Sequence, residues 1–241
     1  DIPMYLKLMG VHSKKKYYES EKLFYIDESP TFITNGESYF KLRVGLPFLT
    51  TGKTELSAGY GTLTDRYYQS NVVDYSQTTA DKSSYKLFMG SIRFEKNTLN
   101  SFMFPVSGNS ISVVGEAVYG KEYYYASEGK EISKRSTNKN KHSQLTGQTN
   151  HYLNLSQKFT FGIRSEIVLS SKGFFDNYTS TIIQAPAFTP TPHSKMVFNE
   201  AFRATQYIAA GVLPIWKIVN KLQLRTELYG FAPFYKIKRG E

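Results

Sequence analysis

Apolar and charged side chains alternate along much of this chain with a period of two residues. If residues 39–49 are extended, one face carries only apolar side chains, while Lys41 and Arg43 point to the other face. The apolar face of this segment consists of Phe40, Leu42, Val44, Leu46 and Phe48. Residues 109–119, 162–169 and 221–229 repeat the pattern, and apolar residues at helical spacing are scarce. The chain is therefore predicted to form strands with one apolar and one charged face.

Nine segments fit this pattern and are predicted to be strands. They are residues 4–18, 39–49, 54–68, 84–96, 109–125, 149–158, 161–174, 205–217 and 222–236. Most are longer than the roughly five or six residues that are typical of soluble strands. They match the roughly 9–11 residues that a tilted strand needs to cross a bilayer. In residues 84–96 both faces carry apolar side chains, so the pattern does not fix which face points inwards. A β-bulge would reconcile the two halves, but nothing else in the sequence supports one.

The connections between these strands alternate in length. Tight turns are predicted at residues 50–53, near residues 159–160 and near residues 219–220, and residues 97–108 form an intermediate link on the same side. Long polar loops are predicted at residues 70–83, 127–146 and 176–204. Short turns on one side and long loops on the other are typical of an outer-membrane barrel. We therefore predict an all-β fold, an antiparallel transmembrane β-barrel in the bacterial outer membrane.

Residues 1–241 are expected to form a single outer-membrane β-barrel domain. Nine strands is an odd number, whereas bacterial single-chain barrels have an even count. An open sheet would leave unpaired backbone groups in lipid, which costs several kcal/mol per group. Either residues 23–26 form a further strand or the domain is a fragment. We favour a fragment that is incomplete at both ends.

Composition and charge exclude several classes of protein. The absence of Cys excludes a disulfide-stapled secreted domain, a cysteine zinc site and a cysteine nucleophile. An aromatic content of 15% is too high for a disordered chain. The mean hydropathy of −0.40 disfavours a helical membrane protein, and no apolar run reaches the roughly 18 residues of a spanning helix. The net charge of +10 comes from predicted loops and charged strand faces, so no nucleic-acid partner is predicted.

A search for catalytic motifs is negative. The chain has no G-x-S-x-G elbow and no phosphate-binding glycine loop, and its four histidines share no ligand spacing. The sequence therefore predicts no catalytic, cofactor-binding or metal-ligating residue and no cofactor. The charged residues predicted to face the lumen are Lys41, Arg43, Glu116, Arg164, Glu166, Arg225 and Glu227. Inward charges of both signs are expected to form a network that fills or tunes the lumen.

Two of the connections differ from plain barrel turns. Residues 97–108 contain Pro105 and Gly108 and are expected to form a turn in which Gly adopts a positive φ. Residues 176–204 are long, rich in Pro and partly apolar. A loop of this size usually has a function or folds into the lumen. Its apolar side chains predict packing inside or over the barrel, and they are Ile182, Ile183, Phe188, Val197, Phe198 and Phe202.

Several motifs resemble a known family. Residues 94–100 (FEKNTLN) and 105–111 (PVSGNSI) resemble the mid-barrel segment of the bacterial surface antigen family. That superfamily includes the BamA-like assembly barrels and the two-partner secretion transporters. Residues 175–188 (FDNYTSTIIQAPAF) look like the C-terminal barrel of patatin-like phospholipases of the Bacteroidota type. Residues 46–49 (LPFL), 55–61 and 207–214 also fit that barrel. The resemblance implies an outer-membrane barrel of about 16 strands, preceded by a patatin hydrolase domain and a small linking domain.

The functional motifs of these families are only partly present. The patatin Ser–Asp dyad needs a G-x-S-x-G elbow and an Asp-Gly motif, and neither occurs here, so no residue of this chain inherits the activity. The assembly barrels carry a Val-Arg-Gly-Phe motif in a loop inside the lumen. At the comparable place this chain reads Ala201-Phe202-Arg203-Ala204, which makes Arg203 the lumen-loop candidate.

The leading hypothesis is a membrane-embedded barrel domain that anchors or exports a patatin-like lipid hydrolase. Its partners are then outer-membrane lipid and the upstream patatin and linking domains. An alternative on the same fold is BamA-like insertion of outer-membrane proteins or polypeptide secretion. An alternative of another class is a soluble all-β binding module, whose strands average about six residues and whose second sheet face is exposed to water. Nucleic-acid binding is disfavoured because no basic-aromatic motif is present.

Overall fold

A computed structural model describes residues 3–18, 31–48, 50–68, 79–128, 131–219 and 222–238. These ranges contain ten strands, one α-helix and two short 3-10 helices. The strands are β1 (Tyr5–Tyr18), β2 (Thr31–Phe48), β3 (Gly52–Tyr67), β4 (Asp81–Asn97), β5 (Gly108–Glu128), β6 (Glu131–Asn154), β7 (Phe159–Ser170), β8 (Tyr207–Val219), β9 (Leu222–Arg225) and β10 (Leu228–Pro233). The helix α1 is Tyr178–Gln184, and the 3-10 helices are His193–Lys195 and Glu200–Phe202. Among the described residues, no helix combines the length and apolar character needed to cross a membrane.

All ten strands belong to one antiparallel sheet, in which sequence neighbours pair from β1 to β8. β9 and β10 both pair with β8 and keep one register from Gln223 to Pro233, so they form a single ninth strand that is interrupted at residues 226–227. The register shifts only at the start of β9, between Lys217 and Val219. The interruption lies opposite Pro214, which has no N–H to donate, although its carbonyl accepts the N–H of Thr226 at 3.1 Å. The prediction of an all-β antiparallel fold is confirmed. Within the described ranges, β1 and the β9/β10 strand each keep one edge without a strand partner.

The two faces of the sheet differ in polarity. On one face, here called the outer face, large apolar side chains are exposed, and Phe40 is 55% exposed. On the other, the inner face, the charged side chains of β2, β3, β4 and β7 are partly or fully covered, and Glu55 is only 5% exposed. Exposed apolar side chains of the outer face include Leu6, Leu8, Phe40, Leu42, Leu46, Phe48, Leu56, Tyr60, Phe88, Ile92, Ile111, Val113, Tyr119, Leu145, Leu153, Ile163, Ile167, Leu169, Ile208, Val212 and Trp216. The sheet of a water-soluble protein buries its apolar face, so this arrangement is inverted.

Residues 171–206, which connect β7 to β8 and are called the inserted segment below, pack on the inner face. Three aromatic contacts fix them there. Phe198 lies 5.7 Å from Tyr17 of β1, between ring centroids, and Phe188 lies 6.2 Å from Phe231 of β10. Phe175 forms an edge contact with a tyrosine of β4 at 5.3 Å. Because one segment touches the first, a central and the last strand, the inner face is concave and the sheet curls around the inserted segment.

Inward-facing tyrosines lie over glycines of the neighbouring strand. Tyr5 pairs in register with Gly45, and Tyr229 pairs with Gly211. A Cβ atom at either glycine would overlap the tyrosine ring. These glycines therefore give the rings room to lie flat against the concave backbone, which relieves crowding where a sheet coils strongly.

β4 has a regular register against both neighbours, so no β-bulge reconciles the two halves of residues 84–96. Its two faces are apolar for different reasons. Phe88 and Ile92 are exposed on the outer face, whereas Tyr85 and Leu87 point inwards and pack against Phe175 of the inserted segment. The alternation of apolar and polar residues is lost here because the inward-facing Tyr85 and Leu87 of β4 are apolar as well.

The prediction of a long loop at residues 127–146, followed by a strand limited to residues 149–158, is wrong. Those residues instead form a long hairpin, in which β5 and β6 pair from Glu128↔Glu131 to Gly108↔Tyr152. The strand pattern is invisible in sequence because residues 133–141 are polar on both faces of the strand. β7 pairs only with Gln144–Asn154, so residues 131–142 keep one edge without a strand partner in the described part of the chain.

Several predicted boundaries also move. The turn between β6 and β7 lies at residues 155–158, because the Ser156 hydroxyl accepts the N–H of Phe159 at 3.0 Å and Phe159 already begins β7. β7 ends at Ser170 and not at residue 174, and β2 begins at residue 31 and not at 39. The possible strand at residues 23–26 lies outside the described residues.

The link between β4 and β5 forms the turn that Pro105 and Gly108 predict. Gly108 has a φ of +92°, which confirms the expected positive φ. The side-chain oxygen of Asn100 accepts the N–H groups of Val106 and Ser107 at 3.0 and 3.1 Å. A Cβ at Gly108 would collide with the carbonyl of Thr98, so both the dihedral angle and the space require glycine.

Replacing Gly108 with Ala is expected to lower the free energy of unfolding by more than about 1 kcal/mol, because Ala resists a positive φ. Chemical denaturation measures the change. Gly173→Ala is the matched control, since a Cβ at Gly173 meets nothing within 4 Å and its φ is ordinary. Equal stability of the two variants would contradict the assigned turn geometry.

Candidate functional site

The seven charged residues predicted to face the interior lie on the inner face, and their contacts divide them into two groups. Lys41, Arg43 and Glu116 line one cavity next to β2–β5. The second group, on β7 and the β9/β10 strand, consists of Arg164, Glu166, Arg225 and Glu227. The structure thus brings together residues within each group, and the groups occupy different parts of the sheet.

Glu55 of β3, which the sequence analysis did not single out, is the centre of the first group. Tyr5 Oη donates a hydrogen bond to Glu55 Oε1 at 2.7 Å, and Arg43 Nη1 lies 3.8 Å from Oε2. Lys53 Nζ lies 3.8 Å from Glu55 and 3.4 Å from Glu95 of β4. A covered carboxylate needs partners of this kind, because its desolvation is costly otherwise. The network ties β1 to β4 together close to the tight turns.

A cavity of about 310 Å³ separates this network from the inserted segment. Its charged lining consists of the cations Lys41, Arg43 and Lys172 and the carboxylates of Glu37 and Glu116. A lining with more cations than carboxylates suits water and small anions better than apolar ligands.

Glu166 of β7 is the best-satisfied carboxylate of the second group. It accepts a hydrogen bond from Tyr207 Oη at 2.5 Å and another from Gln148 Nε2 at 3.0 Å. The neighbouring Arg164 donates from Nη1 to the carbonyl of Pro190 at 2.8 Å. Since Pro190 belongs to the inserted segment, Arg164 attaches that segment to β7.

Arg225 connects the last strand to the link between β4 and β5. Its Nη2 donates to the carbonyl of Pro105 at 2.8 Å, and its guanidinium lies 5.6 Å from the centroid of the Tyr152 ring. Glu227 Oε1 lies 3.9 Å from Arg225 Nε, and Tyr229 Oη donates to Glu227 at 2.8 Å. The contact between Arg225 and Pro105 reaches from β9 to the β4–β5 link, which is further evidence that the sheet is strongly curved.

Two buried carboxylates that were not predicted hold the inserted segment. Asp65 of β3 accepts hydrogen bonds from Asn35 Nδ2 at 2.7 Å and from Gln184 Nε2, at the end of α1, at 2.6 Å. Glu122 of β5 accepts the backbone N–H of Asp176 at 3.1 Å. Glu122 also accepts a hydrogen bond from Ser83 Oγ of β4 at 2.8 Å. Each carboxylate therefore accepts one hydrogen bond from the sheet and one from the inserted segment, which fixes the segment over β3 to β5.

Asn177 begins helix α1 and also binds the sheet. Its Oδ1 accepts the N–H of Ser180 at 2.9 Å, which is an ordinary N-cap hydrogen bond. Its Nδ2 donates to Tyr67 Oη at 2.8 Å, on β3. The start of the helix is therefore fixed directly to a fully buried tyrosine of the inner face.

Arg203 closes the other end of this helix. Its Nη1 donates to the carbonyls of Ile183 and Ala185 at 2.8 and 3.1 Å, and its guanidinium lies 4.5 Å above the Phe198 ring. Carbonyls at a helix C-terminus have no partner within the helix, and a cation there is favourable. Burial lowers the pKa of Arg203 from its usual range, while the nearby Asp65 opposes this change. The lumen-loop candidate thus stabilises the inserted segment itself.

Lys172 lies at the junction between β7 and the inserted segment. Its Nζ donates to the carbonyl of Gln184 at 2.8 Å and lies 4.9 Å from the centroid of the Phe175 ring. Burial lowers the pKa of Lys172 to about 8, although the carboxylates of Asp65, Glu116 and Glu122 favour its charged form.

The stability of the protein is expected to rise between pH 8 and pH 10.5 relative to that of a Lys172→Met variant. In this window the unfolded chain keeps a proton on Lys172, whose ordinary pKa is 10.5, while the folded chain has released it. The difference between the two states corresponds to about 3 kcal/mol. Denaturation of both proteins across this range measures it, and parallel pH profiles would contradict the lowered pKa.

The inner face has the contacts of a structural network, in which carboxylates accept hydrogen bonds from tyrosines, amides and basic side chains. His142, which is buried, hydrogen-bonds only Asn140 at 3.2 Å among its described side-chain neighbours. In the described part of the chain, no group of three or more His, Cys, Asp or Glu side chains is arranged to hold a metal ion. Comparisons with models of protein families, with curated proteins and with solved structures find no match to this chain.

Proposed function

We propose that this chain is a membrane-embedded β-barrel domain of the bacterial outer membrane that anchors a patatin-like lipid hydrolase. The observation that carries the membrane assignment is the inverted polarity of the sheet, with apolar side chains exposed and charged side chains covered. The proposal of a linked hydrolase rests on the resemblance of residues 175–188 to the barrels of patatin-like phospholipases.

The size of the apolar face favours lipid as its environment. Exposed apolar patches on soluble monomers rarely exceed a few hundred Å². Here neighbouring strands from β1 to β8 all contribute large apolar side chains to one face. Water would make such a face costly, whereas the hydrocarbon of a bilayer solvates it without penalty.

The height of the apolar band on β4 also fits a bilayer. Its outward positions run from Lys86 through Phe88, Ile92 and Phe94 to Lys96. At about 3.3 Å per residue and a tilt of about 40°, the two lysines are separated by about 25 Å along the membrane normal. This matches the apolar band of outer-membrane barrels, which is about 25 Å tall.

The position of the inserted segment favours an anchoring function over a function as a channel for polypeptides. Asp65, Glu122, Arg164 and Tyr67 hold it on the concave inner face, where it fills space that a translocating polypeptide would need. Insertion or secretion of polypeptides therefore requires this segment to leave, and we rank that function second. A soluble binding module is ranked below it, because β1 to β8 contain 12 to 24 residues each.

The sole tryptophan provides a direct test of the membrane assignment. Trp216 lies on the outer face of β8, with its ring 5.3 Å from that of Phe159. After reconstitution into vesicles, lipids brominated on their acyl chains are expected to quench its fluorescence strongly. The matched control is a Trp216→Phe protein with Phe175→Trp, which places the fluorophore in the core between the sheet and the inserted segment.

The control protein is expected to resist quenching by the same lipids. A heat-modifiability gel and fractionation of the full-length protein accompany the measurement. Recovery in the soluble fraction with no mobility shift on boiling, or equal quenching at both positions, would overturn the proposed function.

A further inference from the structure

Three lysines form a row across adjacent strands on the outer face. Lys86 of β4 pairs in register with Lys121 of β5, which in turn pairs with Lys139 of β6. All three side chains are exposed. They are called the lysine row below. Directly paired residues of antiparallel strands have Cβ atoms about 4.5–5.5 Å apart, so three like charges are held side by side.

No carboxylate balances the lysine row. Among the described residues, no Asp or Glu lies within ion-pair distance of its three amino groups. The carboxylates of β3, β4 and β5 between Gly52 and Tyr125 lie on the inner face, as the covered Glu55, Asp65 and Glu122 illustrate. Like charges directly opposite one another destabilise a sheet, so an anion bound to the row would offset their repulsion.

The lysine row lies directly next to the apolar band. Lys86 is two residues from Phe88, and Lys121 is two residues from Tyr119, which are paired with each other and exposed. Further cations lie on the side away from the band, where Lys82 packs over the Tyr125 ring at 5.3 Å. An aromatic position followed by a basic one is the order expected where acyl chains give way to headgroups.

We propose that the lysine row binds the phosphate groups of anionic lipid headgroups at the membrane surface on the side of the β5–β6 hairpin. The proposal rests on the proposed function, because it places the apolar band in lipid. Each amino group donates up to three hydrogen bonds and carries one positive charge, which suits the oxygens of a phosphate monoester. Lipid packed against Phe88 and Tyr119 presents its headgroup at the height of the row.

Selectivity for spin-labelled lipids in reconstituted vesicles tests the proposal. The protein is placed in phosphatidylcholine vesicles, and the association of labelled phosphatidate is compared with that of labelled phosphatidylcholine. The test variant is Lys86→Gln, Lys121→Gln and Lys139→Gln combined. The matched control removes the same charge at three exposed lysines elsewhere, by Lys158→Gln, Lys195→Gln and Lys236→Gln. A combined Lys→Arg variant of the row keeps the charge.

The wild-type, control and arginine proteins are expected to prefer phosphatidate, and the glutamine variant of the row is expected to lose at least about fivefold of this preference. Equal preference in all four proteins would overturn the proposal in favour of diffuse surface charge. If millimolar inorganic phosphate displaces the labelled phosphatidate, the lysine row is a site for free phosphate, and the proposal of a lipid-headgroup site is overturned. Quenching of Trp216 without any phosphatidate preference would overturn this proposal alone, whereas failure to insert would overturn the proposed function as well.

Discussion

Ile92→Arg is expected to lower the free energy of unfolding in lipid vesicles by about 2–4 kcal/mol, the cost of a cation on the lipid face near the bilayer midplane. Ile92 is 53% exposed on the outer face and lies near the middle of the apolar band of β4. In a water-soluble protein, a charge at a half-exposed strand position changes stability by only about 0.5 kcal/mol or less. The two environments therefore predict clearly different results for one substitution.

Phe102→Arg is the matched control for this substitution. Phe102 is 98% exposed in the link between β4 and β5, outside every strand. Its replacement is expected to leave stability within about 0.5 kcal/mol of the wild type. Denaturation by urea in vesicles measures both variants, and an Ile92→Arg protein as stable as Phe102→Arg would show that the outer face does not contact lipid.

Arg203→Met is expected to release the inserted segment from the inner face. The substitution removes hydrogen bonds from a cation to the carbonyls of Ile183 and Ala185 and the contact with Phe198. Together these interactions are worth about 3 kcal/mol. Hydrogen exchange of the amides of α1 (Tyr178–Gln184) is therefore expected to accelerate by about a hundredfold, if the segment opens locally.

Two further variants distinguish the hydrogen bonds of the Arg203 guanidinium from the effect of its positive charge alone. Lys195→Met removes a cation from an exposed site of the same segment and is expected to leave exchange in α1 unchanged. Arg203→Lys keeps the charge but loses the planar guanidinium, and intermediate exchange is expected. Unchanged exchange in Arg203→Met would show that Asp65, Glu122 and Asn177 hold the segment without it.

Where one face of a strand is apolar and the other charged, the sequence predicted the strand and its faces. β2 is the clearest case, because Phe40 and Leu42 are exposed while Lys41 and Arg43 face inwards. The period-two pattern fails where both faces have the same polarity. Residues 133–141 of β6 are polar on both faces, and Tyr85 and Phe88 make β4 apolar on both.

The candidate site was predicted only in part, because contacts between distant segments carry no local signal. Asp65 and Glu122 could have been proposed as inward-facing, since they share the strand phase of Glu55 and Glu116. That the inserted segment binds them depends on how the sheet curves. Its curvature follows from packing between strands, such as Tyr5 over Gly45, which no single strand reveals.

In the described part of the chain, residues 131–142 of β6 have one edge without a strand partner, and this edge has a consequence for self-association. An unpaired strand edge is a template for pairing with a second molecule, and Lys134, Arg135, Lys139 and Lys141 place positive charge along this one. Two such edges repel each other at low ionic strength, where the Debye length is about 10 Å at 0.1 M salt and falls to about 3 Å at 1 M. We therefore expect the protection of this hairpin against self-association to be electrostatic, and we expect concentrated salt to remove it while the strands stay folded.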